Sequence, residues 1–568
     1  MRLFDVRTLC CSILVVTIWP LVGYADGPSY TIELAKAHSG FDGQTCWVQA
    51  RAGAIPGGAE GNPSEDPLVI LTTQKLLLTG SDVFYRLHQT RTVDGADTWS
   101  ELEPIDSFTR ETVGDANDPL PTGASIAPHL LKKGDETTVC DFQPKWHAAS
   151  QRLLGIGQSV WYRDNRVMHV RPRGIAYAVY QPSRQDWSKW KTVELPSETR
   201  FQNAGSGSAQ RVDLPGGDVL IPFYFKEPSS QTFSSAVCKC RFDGHTLHYI
   251  EHGNAVTVPT ERGLYEPSLT RHCNRFYLTL RNDDRGYVSV SDDGLNFSQP
   301  KPWTFDDGKE LGSYNTQQHW ITHGDELFLV YTRRGANNDH VFRNRAPLFI
   351  AQIDVETLTV VRNTEQILVP ERGARLGNFG IVDVSPDETW VTAAEWMQPL
   401  GVEKHGSDNS IFVAKLKWNR TNLASSMDSD ATADSTRTKL SAYTQPPQAF
   451  RNNFGQYKSP LQFADGSIAK TPQDWQRRRA EILATWTDLL GQWPALITEP
   501  DVEQLSSQRR ENFTQHQIRF QWTPNEKTTG YLLVPDGEGP HPAVVTVFYE
   551  PETAIGHGNP HRDFALQL

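Results

Sequence analysis

The chain has 568 residues, 38% hydrophobic and 21% charged, and a formal net charge of −12. A single ordinary core stops growing at roughly 250–300 residues, so the chain holds either several domains or a fold that grows by repetition, as propellers do. The acidic balance excludes a broad nucleic-acid surface, which needs clustered basic side chains, but leaves room for a local group of arginines serving an anionic ligand. The 16 tryptophans suit β-sheet packing and sugar-binding clefts alike.

The first residues read as an export signal. Arg2 and Arg7 give a positive start, Leu9–Val22 is an apolar run, and Gly23-Tyr24-Ala25 is a small-residue cleavage site. The mature chain is expected to begin near Asp26, secreted or periplasmic. Cys10 and Cys11 open the apolar run, so neither is placed as a lipoprotein cysteine. No later run reaches the ~20 apolar residues of a spanning helix. Five cysteines remain after cleavage, an odd and scattered set that is no disulfide framework. Cys238 and Cys240 are two apart on an expected strand and so share a face. No His or Cys nearby in sequence completes a metal site, and no metal or cofactor is expected.

From Ser29 to Trp418 the chain reads as short strands between Gly, Pro and Asp turns. Examples are Leu68–Leu71, Val83–Thr90, Gly174–Tyr180, Val219–Phe225, Phe276–Leu280, Leu327–Tyr331, Leu348–Ile353 and Ile411–Lys417. Such a series fits a sandwich array, a β-helix or a propeller. A recurring turn favours the propeller. Thr92–Trp99 follows the pattern Ser/Thr-x-Asp-x-Gly-x-Thr-Trp, with Ala96 at the glycine position. Ser291–Phe297 is a shortened copy, and Ser183–Trp190 a degenerate one with Gln185 in place of the aspartate. In such a turn the Asp accepts backbone N–H groups and Gly permits positive φ, while the aromatic fills the gap between strands. The device marks the scaffold, not the chemistry.

Asn419–Lys439 is rich in Ser, Thr, Asp and Ala and reads as a linker. Beyond it the period changes. Thr471 caps an expected helix with Pro472 at its first position and Asp474 at its third, and Trp475, Ile482, Leu483, Trp486, Leu489 and Leu490 recur at helical spacing. Strands follow at Ile518–Trp522 and Thr529–Val534, then the apolar run Ala543–Phe548.

Several residues could carry chemistry. Arg51 ends an early strand and reads equally as a surface arginine. Asp82 reads as a turn residue or as a carboxyl held in a pocket. Glu266, between Tyr265 and Pro267, heads one strand, and Arg281 ends the next. Arg333, Arg334, Arg343 and Arg345 cluster with Tyr331, Asn337, Asn338 and His340, as a solvated edge or a pocket rim.

Together these residues resemble the exo-α-sialidases and the wider sialidase-like six-bladed propellers, over about Tyr30–Trp418. Arg51 with Ile55-Pro56, then Asp82, then the turn Thr92–Trp99 follow that family's order. Glu266, Arg281 and the turn Ser291–Phe297 match it most closely, and Arg343 or Arg345 falls where a third arginine belongs. The resemblance implies an all-β, six-bladed propeller and a glycoside hydrolase. Three arginine forks would grip a substrate carboxylate. Asp82 would protonate the leaving oxygen, and Glu266 would activate a Tyr nucleophile, sialidases being an exception to the two-carboxylate scheme. The chain departs from the family after Arg345, where no Tyr occurs before Tyr443; Tyr331 is the stand-in, with Tyr314 behind it. His147, His319 and His340 would be candidates if the reaction were instead an elimination on a uronate.

The segment Pro472–Leu568 resembles the start of bacterial acetyl-xylan-esterase-like α/β-hydrolases, in which a loop like the one after Tyr549-Glu550-Pro551-Glu552 helps form the oxyanion hole. The Gly-x-Ser-x-Gly elbow of that fold is absent, which implies an incomplete segment, inactive as written.

The expected layout is thus a signal peptide over 1–25, a sialidase-like β-propeller over 26–418, a linker over 419–439 and a partial α/β-hydrolase segment over 440–568. The expected function is a secreted exo-α-sialidase-like hydrolase of terminal acidic sugars. Asp82, Glu266 and Tyr331 would be catalytic, with Arg51, Arg281, Arg343, Arg345 and His340 binding the substrate. A lyase or glycosidase on another uronate-type polysaccharide is the alternative, as is a non-catalytic carbohydrate-binding propeller. A glycan is the expected partner, with no nucleic acid, no membrane span and a monomeric chain.

Overall fold

The structure is a computed structural model. It describes residues 29–422, 458–491, 497–510, 512–537, 544–546, 551–557 and 565. The expected signal peptide, the linker beyond Asn422 and half of the run Ala543–Phe548 lie outside the described residues. The chain divides into two compact units, one within Asp26–Gln445 and one that includes Pro446–Leu568.

The larger unit is mostly β, as the alternating short runs lead one to expect. Six antiparallel sheets follow one another among its described residues. They are led in turn by the strand Thr45–Ile55, by Glu136–His147, by the paired short strands Ala204–Gly205 and Val212–Asp213, by Tyr265–His272, by His319–His323 and by Phe379–Ser385. The sixth sheet is finished by the first strand of the unit. Tyr30–His38 pairs with Ile411–Trp418, so the two ends of the unit are held in one sheet.

Apolar side chains on facing sheets explain why the set holds together. Ile55, Ile70 and Leu87 of the first sheet pack on Val139, Phe142 and Trp187 of the second. Ile156 and Tyr177 pack on Ile221, Phe223 and Cys238 of the third, and Leu220 and Val237 on Leu278 and Leu280 of the fourth. Val288 and Trp303 pack on Leu329 and Tyr331 of the fifth, and Val330 and Ile350 on Phe379, Val391 and Ala414 of the sixth. Val391's own sheet then meets the first, where Trp390, Val413 and Ile411 cover Ala52 and Leu71. The middle strands are buried on both faces, so their sequences run apolar with little alternation.

The recurring turns are stapled by their aspartates. Asp94 accepts from the Thr98 N–H at 3.0 Å and the Thr92 hydroxyl at 2.7 Å. Asp293 accepts from the N–H groups of Leu295 and Asn296 at 2.8 and 2.7 Å. Gly294 sits at φ 77°, and Ala96 holds the same left-handed conformation at φ 73°, at a cost of about 1 kcal/mol for a residue with a Cβ.

All five cysteines of the described residues are free; Cys273 is exposed and the other four are buried. Among the described residues no helix is long and apolar enough to cross a membrane.

In the smaller unit the helix Pro472–Leu490 begins with the capping box expected at Thr471 and Asp474. Leu483, Trp486, Leu489 and Leu490 are exposed along it. The two strands expected here lie inside the longer Phe513–Thr523 and Glu526–Pro535. A third, Val502–Arg509, pairs with the first of them and was not anticipated, since its polar sequence VEQLSSQR carries no apolar period.

Candidate active site

The leading strands of five of the six sheets, all but that led by Phe379–Ser385, share a local device. Gln49, Asp141, Ser208, Glu266 and Asn315 all have left-handed backbones, with φ between 46° and 58°. Three sit in β-bulges, between Val48 and Arg51, Cys140 and Gln143, and Tyr265 and Ser268. Ser208 lies in the break between the two short strands of the third sheet, and Asn315 just ahead of His319. A bulge re-aims the residues that follow it, and strained non-glycine residues collect at functional sites. Two positions on, each strand presents a polar side chain: Arg51, Gln143, Gln210, Ser268 or Gln317.

These side chains converge. Arg51 is 0% exposed. Its Nη2 donates to Ser208 Oγ at 2.8 Å and Gln317 Oε1 at 3.2 Å, its Nε donates to the Phe379 carbonyl at 3.2 Å, and Asp141 lies 3.5 Å away. It therefore ties the first sheet to the second, third, fifth and sixth. Room for it comes from Gly380, where a Cβ would stand 2.7 Å from Arg51 Cγ. Asp141 in turn accepts from Ser208 Oγ at 2.7 Å and Gln158 Nε2 at 3.1 Å, and Gln158 Oε1 accepts the Tyr224 hydroxyl at 2.9 Å.

A second network holds the arginines that face less of the protein. Arg281 Nη1 donates to Glu266 Oε2 at 2.6 Å and Nη2 to Asn315 Oδ1 at 2.7 Å. Its guanidinium lies 4.7 Å from the centre of the Tyr265 ring. Arg345 Nε donates to the Asn315 carbonyl at 3.0 Å, and Nη1 to Asn378 Oδ1 at 3.4 Å. Arg375 Nη2 donates to Gln398 Oε1 at 3.1 Å, with its guanidinium 4.4 Å from the Trp396 ring. Exposures of 8%, 3% and 6% leave these three nearly buried.

Their electrostatics follow from crowding. Burial works against the charge of Arg281, but Glu266 and Tyr265 outweigh it and hold the guanidinium firmly charged. Burial pushes Arg345 well below the usual arginine range, and the like charges of Arg281, Arg375 and Arg343 push the same way. Burial also brings Arg375 down to about 10, aided by Arg343 and opposed by Asp82. Of these three nearly buried cations, Arg281 alone has a directly bonded carboxylate among the described residues, Glu266. Buried N–H groups at Arg281 Nε, Arg375 Nε and Arg51 Nη1 have no partner among the described residues. Such groups cost free energy until an acceptor meets them. A planar carboxylate or sulfate answers both demands, since it brings negative charge and paired acceptors.

The structure brings Glu266, Arg281 and Arg345 together. Asp82 is exposed at φ 54°, its carbonyl accepting from the Tyr162 hydroxyl at 3.2 Å, and its charge is felt at Arg375. Arg343 is exposed, over Phe342 at 5.0 Å. Arg51 is bound into the centre by its own partners. His340 is exposed and bonds Glu371 at 3.0 Å. Tyr331 is fully buried between the fourth and fifth sheets, and its hydroxyl donates to Glu365 Oε2 at 2.6 Å, a carboxylate that Arg333 also holds. Its short-range partners are these packing groups. Tyr314 donates to Asn344 at 2.9 Å. His147 bonds the Gly217 carbonyl at 3.0 Å. His319 bonds Ser268 at 2.8 Å and is kept neutral by burial and by Arg51.

Sequence reasoning missed Arg375, Asn315, Asp141 and Tyr224. Tyr224, like Tyr265, is a phenol that feels Glu266: burial raises Tyr224 to about 12, Arg173 pulls it down, and Glu266 and Asp141 push it up. A searchable signal existed for Asn315 and Asp141, because Asn and Asp are the residues that best tolerate the left-handed conformation. Tyr224 carried no signal, since YF-rich strands are common to every sheet.

No family model matches the chain, and no curated protein matches it. Among solved structures the chain is similar to the Trypanosoma rangeli sialidase in complex with sialic acid, at 10% identity over 87% of this chain and 73% of that one, TM-score 0.43. It is similar to the phage phi92 endosialidase at 10% identity over 93% and 92% of the two chains, TM-score 0.39. It is also similar to the leech intramolecular trans-sialidase at 11% identity over 65% and 68%, TM-score 0.42.

Proposed function

We propose that the larger unit is a six-bladed, sialidase-like propeller and an exported glycoside hydrolase that acts on acidic sugars. The observation that carries this is the group Arg281, Arg345 and Arg375, all nearly buried, with Glu266 the one carboxylate directly bonded to any of them among the described residues. Six sheets, each packed on the next and the last on the first, support the propeller reading. In this proposal the three arginines hold the sugar carboxylate in place of the missing acceptors. Asp82, on the rim, protonates the leaving oxygen. Tyr224 attacks the anomeric carbon, and Glu266 takes the phenol proton, so the nucleophile approaches an anionic substrate without a charge of its own.

A second reading, a propeller that binds acidic glycans without turnover, is supported by one feature. The Tyr224 phenol is buried and already donates to Gln158. The test is incubation of the purified protein with a fluorogenic sialoside and with uronate polysaccharides, beside calorimetric titration of the same sugars. Fluorophore release supports the hydrolase. Unsaturated uronate products without release would indicate a lyase, and binding alone the second reading. Failure to bind any acidic sugar removes all three.

A further inference from the structure

We propose that Arg171 and Arg173 form a second anion-binding position beside the first, so that the ligand is a glycan segment carrying negative charge on two neighbouring sugar units. The proposal rests on the reading of Arg281, Arg345 and Arg375 as a sugar-acid site and extends it along the glycan.

Arg173 is 7% exposed, yet its guanidinium makes no hydrogen bond and no ion pair among the described residues, and its Nε and Nη1 are buried without partners. It lies over two rings instead, 5.0 Å from the centre of Tyr224 and 5.9 Å from that of Phe233. Arg171 makes one bond, from Nη1 to the Met168 carbonyl at 2.9 Å, and its buried Nε is also unpartnered. Its charge and that of Arg173 repel each other. Lys226 Nζ stands 5.6 Å from the centre of the same Phe233 ring. Three cations thus gather with no carboxylate in salt-bridge range of any of them among the described residues. Outside the two positions a buried arginine such as Arg211 finds its acid, Asp213 at 2.8 Å; in the first position Arg281 has Glu266, while Arg345 and Arg375 have no salt-bridged acid among the described residues. An uncompensated buried cation is costly and is kept where a partner arrives from outside.

The second position joins the first through one aromatic panel. Tyr224 and Phe233 are 5.5 Å apart, and Tyr265 lies 6.1 Å from Tyr224 and 5.7 Å from Phe233. Arg173 covers one end of this panel and Arg281 the other. Tyr224 feels both Arg173 and Glu266, so the two cation groups share one electrostatic environment. The neighbouring Arg262 adds no free charge, since Asp283 holds it at 2.6 Å. A single-charge ligand fills one group and leaves the other unmet; a segment with two acidic units meets both.

The test compares matched sugars by calorimetric titration: a methyl sialoside with a disialoside, and a methyl uronide with a di-uronide. The proteins are the full chain, R173M, R171M and R173K, each checked by thermal unfolding. In the series that binds, the full chain is expected to prefer the two-charge ligand by at least about tenfold, the gain of one charge-assisted contact. R173M and R171M should each shrink that preference toward unity, and R173K should retain part of it. Equal affinity for one-charge and two-charge ligands in the full chain overturns the proposal while leaving the first site standing. So does an R173M that weakens both ligands by the same factor. Absence of binding in both series overturns the sugar-acid reading itself, and the second position with it.

Discussion

Replacing Glu266 by Gln separates the electrostatic role of the site from its shape. The amide is isosteric and keeps the left-handed backbone at φ 46°, but it removes the one carboxylate bonded to the arginine group among the described residues. The Arg281–Glu266 contact, 2.6 Å long between nearly buried side chains, is a charge-assisted bond. Its weakening should cost roughly 1.5–3 kcal/mol of stability. For a unit of this size that lowers Tm by roughly 2–4 °C. Anion binding should move the other way. A ligand charge about 5 Å from the lost carboxylate, at an effective dielectric near 20, escapes about 3 kcal/mol of repulsion, which is about a hundredfold in affinity. Turnover, if Glu266 takes the phenol proton, should fall by at least about a hundredfold. Thermal unfolding with and without an acidic monosaccharide, calorimetric titration at two salt concentrations and a fluorogenic assay read all three. In E266Q the unliganded protein should be less stable and the liganded protein restored, because the tighter ligand stabilises in proportion to its occupancy. An E266Q protein that binds the acidic sugar more weakly than the full chain would refute the reasoning, since it would mean that Glu266 contacts the ligand favourably and does not merely balance the arginines.

R281K should lose about tenfold or more in acidic-sugar affinity, because one ammonium cannot reproduce the planar fork that spans Glu266 and Asn315; titration calorimetry reads it. Y224F should abolish turnover and leave acidic-sugar binding within a few-fold. It should also cost about 1–2 kcal/mol in denaturant unfolding, from the Gln158 oxygen left without its donor. G380A should drive a Cβ against Arg51 and destabilise by about 1–3 kcal/mol, the usual range for overpacking. Finally, although burial opposes it, backbone and Asn296 donors hold the Asp293 carboxyl down to about 2. An acid depressed in the folded state stabilises above its ordinary value, near 4, and that contribution is lost as pH falls from about 4 to about 2. D293N should flatten the dependence of Tm on pH in that window and leave the dependence above pH 5 unchanged.

The strand series, the stapled turns and the capped helix at Thr471 were legible in the sequence because each is a local matter. A strand pattern, an Asp that accepts nearby N–H groups and a Thr-Pro-x-Asp cap need only neighbours a few residues away. Glu266 and Arg281 were legible for a similar reason. They lie on adjacent strands of one hairpin, so their meeting follows from a short register. What the sequence alone determined, then, was the β character of the larger unit and the pairing of that one carboxylate with that one arginine. Tertiary structure decided the rest. Arg51 and Arg375 are both arginines after short apolar runs, yet one is tied to four other sheets through Ser208, Gln317, Phe379 and Asp141 while the other bonds Gln398 and lies over Trp396. Tyr331 and Tyr224 both lie at the ends of apolar strands, and only packing sends one hydroxyl to Glu365 between sheets and the other to Gln158 beside Asp141. The physical reason is that charge and burial at a point are sums over groups far apart in the chain. Asp82 and Arg375, or Glu266, Asn315 and Arg345, influence one another only because the fold brings residues far apart in the chain together.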